Sequence, residues 1–280
     1  MKQLIVNADD FGLHELINDG IVEAHVAGCV TSTSIMAGGD SFEHAVRLAG
    51  KHPKLGVGVH LTLVGARPIA RGDIHTLVTR KGDFFPNYGQ FVKRYVSGQI
   101  AKEHIEWELH CQMQKVAGTG IKITHIDSHQ HLHVLPGLAK VISRVAKEFN
   151  VNKIRIPAEP ISFLGMGFPD ISRFFAKTAL TGCSLLAKSI YTKMGFLFPQ
   201  HFFGMLAGGT MRQSSLLHIL KELPEGISEI MVHPGKDTQA LEQSFPWGYH
   251  WQEELEALKC KEVLESIKKH EIQLVNYREI

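Results

Sequence analysis

Residues 7–12 read NADDFG, so Asp9 and Asp10 stand side by side just past the apolar run Leu4-Ile5-Val6. Adjacent carboxylates repel, and burying either one is unfavourable unless something offsets its charge. A turn or a helix cap accounts for one aspartate. Two at the end of a buried strand fit a site where one holds a cation and the other moves protons. Other residues of that kind recur along the chain: His60 in GVHLTL (58–63); His125, Asp127, His129, His131 and His133 in HIDSHQHLHVLP (125–136); Arg155 in RIP (155–157); and His233 in MVHPG (231–235). Two histidines and a carboxylate, with other positions left to water, make a competent catalytic metal site. Such a metal polarises an acyl oxygen and acidifies bound water. A neighbouring carboxylate can then take the water's proton while a histidine opposite protonates the leaving group. The spacing of His129, His131 and His133 does not choose among them, because i, i+2, i+4 share a face on a strand and i, i+4 share one on a helix. One or two are expected to reach the metal, the others to support it or touch substrate.

These residues need elements that bring them to one place. Short β-branched runs at 3–8, 28–36, 55–63, 122–127, 152–157, 227–235 and 272–277 read as strands. Helical periodicity covers 15–27, 41–50, 99–117, 137–149, 213–223 and 250–269, and 64–98 reads as loop. This β-then-α rhythm implies a parallel sheet with helices outside. With no GxGxxG fingerprint, a TIM-like (β/α) barrel of seven or eight strands is favoured over a Rossmann sheet, as one α/β domain spanning 1–280. Chemistry on such a barrel sits at the C-terminal ends of the strands. Five of the expected strands end there in a carboxylate, an imidazole or a guanidinium.

Composition narrows the class. Hydrophobic residues make up 44% of the 280 and the formal net charge is +2, so nothing calls for nucleic acid as a partner. The four cysteines are far apart and form no CxxC pair, which fits a reduced, cytoplasmic chain. The first residues carry too short an apolar run for a signal peptide, and no stretch reaches the roughly 18 apolar residues of a membrane span.

NADDFG at 7–12, TSTSIM at 31–36, GVHLTL at 58–63, HIDSHQHLHVLP at 125–136 and HPG at 233–235, in this order over nearly the whole chain, resemble the motifs of the YdjC-like carbohydrate deacetylases. These include the chitooligosaccharide (diacetylchitobiose) deacetylases and the deacetylases associated with hopanoid biosynthesis. The resemblance implies a distorted (β/α) barrel with one divalent metal, Mg2+ or Zn2+, held by Asp10, His60 and His129. It further implies Asp9 as general base, His233 as general acid and Arg155 as the residue orienting Asp9. The reaction would release acetate from an N-acetylated amino sugar.

Segment 161–212 is rich in Phe, Leu and Met, with one acid (Asp170) against five bases (Arg173, Lys177, Lys188, Lys193, Arg212). It reads as packing on the barrel or as a lid or amphipathic patch, with Phe174, Phe175, Leu180, Leu185, Leu186 and Ile190 on an apolar surface and the bases reaching anionic headgroups. The segment is more similar to the hopanoid-associated branch. This directs the substrate expectation to an N-acetylglucosaminyl lipid, with peripheral contact at the inner membrane face. Diacetylchitobiose is the alternative. In FPWGYHW (245–251), Trp247 and Tyr249 offer a platform for a sugar ring or serve as packing. The outer helices leave room for a homodimer. Three other classes compete: an amidohydrolase or phosphoesterase, a non-haem iron oxygenase, and a non-catalytic sugar- or lipid-binding protein. Asp9-Asp10 stand where amidohydrolases place an HxH, the βα rhythm argues against the oxygenase, and the intact candidate positions argue against a retired site.

Overall fold

Alternation along the first strand, β1 (Lys2–Phe11), separates two environments. Leu4, Val6 and Ala8 join the large apolar core beneath the helices, whereas Ile5 packs apart from it with Val275 and Tyr277. Successive strand residues face opposite sides, so Ile5, Asn7 and Asp9 line the inside of the sheet. The computed structural model describes residues 1–160 and 171–280, with side chains of 171–177 excepted.

The elements follow in the order α1 (Glu15–Val26), β2 (Ser32–Ile35), α2 (Phe42–Lys51), β3 (Gly56–Leu61), α3 (Tyr88–Val96), α4 (Lys102–Ala117) and β4 (Ile123–Ser128). A short 3-10 segment, His129–Val134, leads to α5 (Leu138–Glu148), α6 (Ile171–Lys193), β5 (His201–Phe203), α7 (Gln213–Lys221) and β6 (Gly226–Val232). The chain continues through α8 (Thr238–Ser244), α9 (Trp251–Lys259), α10 (Lys261–Lys269) and β7 (Gln273–Leu274). All the pairings between strands are parallel, in the order β4-β3-β2-β1-β6-β5, with β7 beside the start of β1.

The sheet curls toward closure through single bridges rather than a ladder. Ile126 N–H donates to the Lys153 carbonyl and Arg155 N–H to that of Ile126, while Ile154 N–H donates to the Leu197 carbonyl. The expected strand 152–157 is reduced to two bridges, at Lys153 and Ile154, and Pro157, which has no N–H to continue a ladder, follows three residues on. The result is a distorted TIM-like barrel. The sequence reading also differs from the structure at α3, which lies inside the stretch read as loop, and at α8 and β5, which it did not anticipate. The helix expected over 250–269 is two helices, because Cys260 adopts an extended ψ of 144° between them.

The barrel interior is polar where an ordinary barrel stacks branched aliphatic layers. Ile5, Val275 and Tyr277 plug the bottom. Above them lie Glu229, Arg155, His125, Ser34 and Asp127, all fully buried. Glycine makes room for this filling: a Cβ on Gly58 would fall 2.4 Å from the His125 ring.

Candidate active site

Asp9 and Asp10 pose a geometric problem, since neighbours on a regular strand face opposite ways. The backbone resolves it at Asp10, whose φ of 67° lies in the left-handed region, where the β1–β2 register also shifts between Ala8 and Phe11. A non-glycine residue there carries strain of about 1–3 kcal/mol. Both carboxylates thereby reach the upper end of the barrel, each 2% exposed.

Asp10 meets two imidazoles. His129 Nδ1 lies 3.1 Å and His60 Nε2 lies 3.5 Å from its Oδ1, and one ligand atom from each of the three residues lies within 4.8 Å of the others. Burial opposes ionisation of Asp10, but His129, His60 and His233 hold its carboxyl below the usual range. His60 Nδ1 lies 2.7 Å from Asp127 Oδ1, which fixes the ring and turns Nε2 toward Asp10. Burial works against protonated His60, but Asp127 and Asp9 outweigh it and raise the imidazole to about 9. Two imidazoles and a carboxylate on rigid strand ends, strained backbone at one of them, and an oriented Nε2 form a donor set that fits a divalent cation.

Asp9 is gripped differently. Arg155 Nη1 and Nη2 donate to its two oxygens at 2.7 Å each, and Asn7 Nδ2 donates to Oδ1 at 2.9 Å. The same guanidinium reaches Asp127 Oδ2 at 2.9 Å through Nη1 and Glu229 Oε1 at 2.9 Å through Nε. Glu229 takes the Tyr277 hydroxyl on its other oxygen at 2.6 Å. Burial pushes Glu229 up to about 7 against the opposing pull of Arg155 and Tyr277. Ser34 Oγ donates to Asp127 at 2.8 Å and accepts from Asn7 at 2.9 Å. His125 stacks on Tyr277 with ring centroids 3.7 Å apart, and burial, aided by Arg155, drives it down to about 3. A single fully buried arginine thus ties the Asp9 carboxylate to the floor of the barrel.

His233 follows the end of β6 and is 7% exposed, with no hydrogen-bond partner on its buried Nδ1. Burial lowers its basicity despite the nearby carboxylates of Asp9 and Asp10. Glu254 on α9 fixes its backbone by accepting the His233 N–H, and the Met211 N–H as well.

Of the clustered histidines, His129 alone joins Asp10 and His60. His133 has both ring nitrogens engaged, Nδ1 2.6 Å from Ser128 Oγ and Nε2 3.0 Å from the Arg155 carbonyl. It therefore braces the turn rather than meeting a substrate. His131 packs edge-on against Phe202 and is 9% exposed, with Nδ1 unpartnered. Gln130 and His131 adopt φ of 55° and 56°, the sharp turn that separates the three rings. Trp247 tilts over His129 at 5.6 Å and lines a cavity of about 370 Å³ with Phe245, Arg67, Asp40, Asp83 and Gln130. Tyr249 bridges Trp247 and His233, at 5.4 and 5.0 Å between ring centroids.

Sequence reasoning gave Asp127 no role and missed Asn7, Ser34, Glu229, Tyr277 and Glu254. Glu229 did leave a signal: an acid in the middle of the apolar strand ISEIMV is costly unless paired. Tyr277 left none, since its partner lies 48 residues away.

Among the described residues, no helix is long and apolar enough to cross a membrane. A carbohydrate deacetylase of Brevibacillus brevis is 33% identical over 99% of both chains, and one of Clostridium beijerinckii is 34% identical over 99% of this chain and all of its own. The crystal structure of an Enterococcus faecalis V583 protein, provisionally named for cellobiose-phosphate cleavage, superposes with a TM-score of 0.81 at 26% identity, covering 99% of this chain and 98% of that one. The model of the YdjC-like proteins matches residues 3–269, and the chain belongs to that family.

Proposed function

We propose that the protein is a metal-dependent hydrolase that removes the acetyl group from an N-acetylated amino sugar. The observation that carries this reading is the pairing, at one end of the barrel, of an Asp10–His60–His129 donor set with an Asp9 carboxylate clamped by Arg155. Full-length relatives named carbohydrate deacetylase support it.

Asp10, His60 and His129 would hold the cation, which as Mg2+ or Zn2+ supplies Lewis acidity to the acetyl carbonyl and to water. Asp9 accepts the proton of the attacking water, with Arg155 and Asn7 fixing its direction. His233, whose Nδ1 is not tied to another group, gives a proton to the departing amine. Trp247 offers an aromatic face to the sugar, with Tyr249 behind it. The test is acetate release with and without a chelator, from diacetylchitobiose and from an acetylglucosaminyl lipid. Release from neither by the metal-loaded protein would sink the deacetylase reading.

The finer substrate we propose is an N-acetylglucosaminyl lipid such as a hopanoid. Part of the described α6 supports it: Leu185 and Leu186 face away from the barrel, although Leu180 and Ile190, expected beside them, pack against the core. Thr181, Ser184, Ala187 and Tyr191 are turned inward, while Leu185 and Leu186 are 56% and 67% exposed, and Leu197 beyond the helix is 48% exposed. Lys188 lies over Phe198 beside them. Exposed leucines flanked by bases suit a peripheral membrane contact. Expected residues Phe174, Phe175, Arg173 and Lys177 lie outside the described side chains. Co-sedimentation with anionic vesicles, lost in Leu185→Ser/Leu186→Ser, checks it. A wild-type protein that ignores vesicles and acts well on diacetylchitobiose would move the substrate to the soluble disaccharide.

A further inference from the structure

Asp73, His75 and His104 each present one ligand atom within 4.8 Å of the other two, away from the residues around Asp10. Asp73 and His75 sit on the loop after β3, and His104 lies in the first turn of α4. The flanking Ile74 and Leu77 are buried, 5% and 0% exposed, and anchor the loop so that Asp73 and His75 turn outward. His75 Nδ1 lies 2.5 Å from Asp73 Oδ1, and the His75 backbone N–H donates to the same oxygen at 3.3 Å. The two imidazoles meet edge to face at 5.1 Å. His75 and His104 hold the Asp73 carboxyl below its usual range, even though its side chain is largely exposed.

The orientation of His104 adds an independent point. Its Nδ1 lies 2.8 Å from Thr76 Oγ1, which also accepts the Ala101 N–H at 3.1 Å. A hydroxyl oxygen has two lone pairs, so it can accept from Ala101 and from a His104 Nδ1–H together. That tautomer leaves the His104 Nε2 lone pair free. Locking one ring nitrogen against a fixed acceptor while freeing the other is how proteins aim a ligating histidine.

We infer that Asp73, His75 and His104 form a second cation site, for a late first-row divalent ion such as Zn2+, with its remaining positions open to water. Without the rigid, desolvated support that Asp10, His60 and His129 have, two imidazoles and a carboxylate on a solvated loop hold Zn2+ in preference to Mg2+, which favours oxygen ligands and keeps its own waters. The position gives the site a task. The loop it would tether supplies Ala66, Arg67, Asp83, Phe84 and Pro86 to the wall of the cavity beside His129. That loop is already pinned to α4 through Glu108, which accepts the Ile69 and Ala70 N–H groups. A cation on His104 would reinforce the Thr76 contact at the start of the same helix, one turn before Glu108.

The test is Zn2+ titration of metal-stripped protein by calorimetry, with wild type, His104→Ala, Asp73→Asn and Asp10→Ala. Wild type is expected to take two equivalents. His104→Ala should lose one and keep the chelator-sensitive activity, and Asp10→Ala should lose the other. Asp73→Asn should weaken the outer equivalent about 10-fold or more. Zn2+ should also slow proteolysis within 66–87 in wild type and Asp10→Ala, and not in His104→Ala. A single equivalent in wild type, or two retained in His104→Ala, overturns the site. Two equivalents with no effect of Asp73→Asn also overturn it, since a chance pair of surface histidines would behave that way.

Discussion

Among the described residues, one aspartate and two histidines come together twice, and the surroundings make the two groups different objects. Asp10, His60 and His129 sit on strand ends and are between 2% and 7% exposed, with His60 held by the buried Asp127 and Asp127 held by Arg155 and Ser34. Asp73 and His75 are nearly three-quarters exposed, and a single threonine hydroxyl orients His104. Identical donors thus have a rigid, desolvated support in one place and a solvated loop in the other. Electrostatic interactions are far stronger in the first setting, because little water reorganises around the charges. Chemistry belongs there, and the outer group is suited to tethering.

The most severe way to break this contrast is to damage the inner cluster. Asp9→Asn retains the shape but leaves one oxygen where two accept from Arg155, and it removes a proton acceptor. Turnover should fall by about 10²–10⁴, the usual range for a lost general base, with metal content unchanged. Asp10→Ala should lose the cation and activity together. Acetate release alongside metal analysis separates the two, and a fully active Asp9→Asn enzyme would remove Asp9 from the chemistry.

The pH dependence of metal binding sharpens the comparison. His60 rests near 9 in the metal-free protein, so its proton must leave before Nε2 can bind a cation. The sign is direct: below that value protons compete, and affinity rises with pH until about 9. One competing proton gives about a tenfold gain per pH unit, or about a hundredfold between pH 6 and pH 8. Calorimetry in buffers of different ionisation enthalpy should show close to one proton released at the inner site. Asp127→Asn should shrink that release, because it removes the charge that raises His60.

The floor beneath the site should give a smaller, structural effect. Tyr277→Phe deletes the hydroxyl donated to buried Glu229 and should cost about 1–3 kcal/mol of stability, read by chemical denaturation. Glu229 is raised in the folded state from 4.5 to about 7. A raised folded value means its contribution is fully present below the unfolded value and is lost as pH climbs through about 7. Glu229→Gln should flatten that decline between pH 5 and 8. An unchanged slope would show that Glu229 does not titrate there.

What the sequence disclosed follows from how local each determinant is. The parallel barrel was legible because alternating βα patterning is a property of short windows, and the residues now around Asp10 were legible because strand ends in a barrel converge. Arg155 was found for the same reason. Its tie to Glu229 and Tyr277 was not, since β6 and the chain's end meet it only in three dimensions. The strand expected at 152–157 failed because Pro157 and the irregular bridges to Ile126 and Leu197 limit pairing, which β-propensity alone does not register. His133 was read as supporting the metal or touching substrate, a choice left open because a ring's identity says nothing about whether both its nitrogens are already engaged.

The smallest expected effect is also the one that tests the contrast most directly. His104→Ala removes a histidine from an Asp/His/His group, as His129→Ala does, yet kcat should change by less than about twofold, within the range of a surface substitution. If the outer group tethers the loop carrying Arg67 and Asp83, the change should fall on KM, because that loop walls the cavity and touches no proton in transit. The effect should appear in Zn2+ buffer and vanish in Mg2+ buffer, where the outer group has no ligand of its preference. A large loss of kcat in both buffers would mean that the exposed cluster is coupled to the reacting groups, and burial would no longer separate the two.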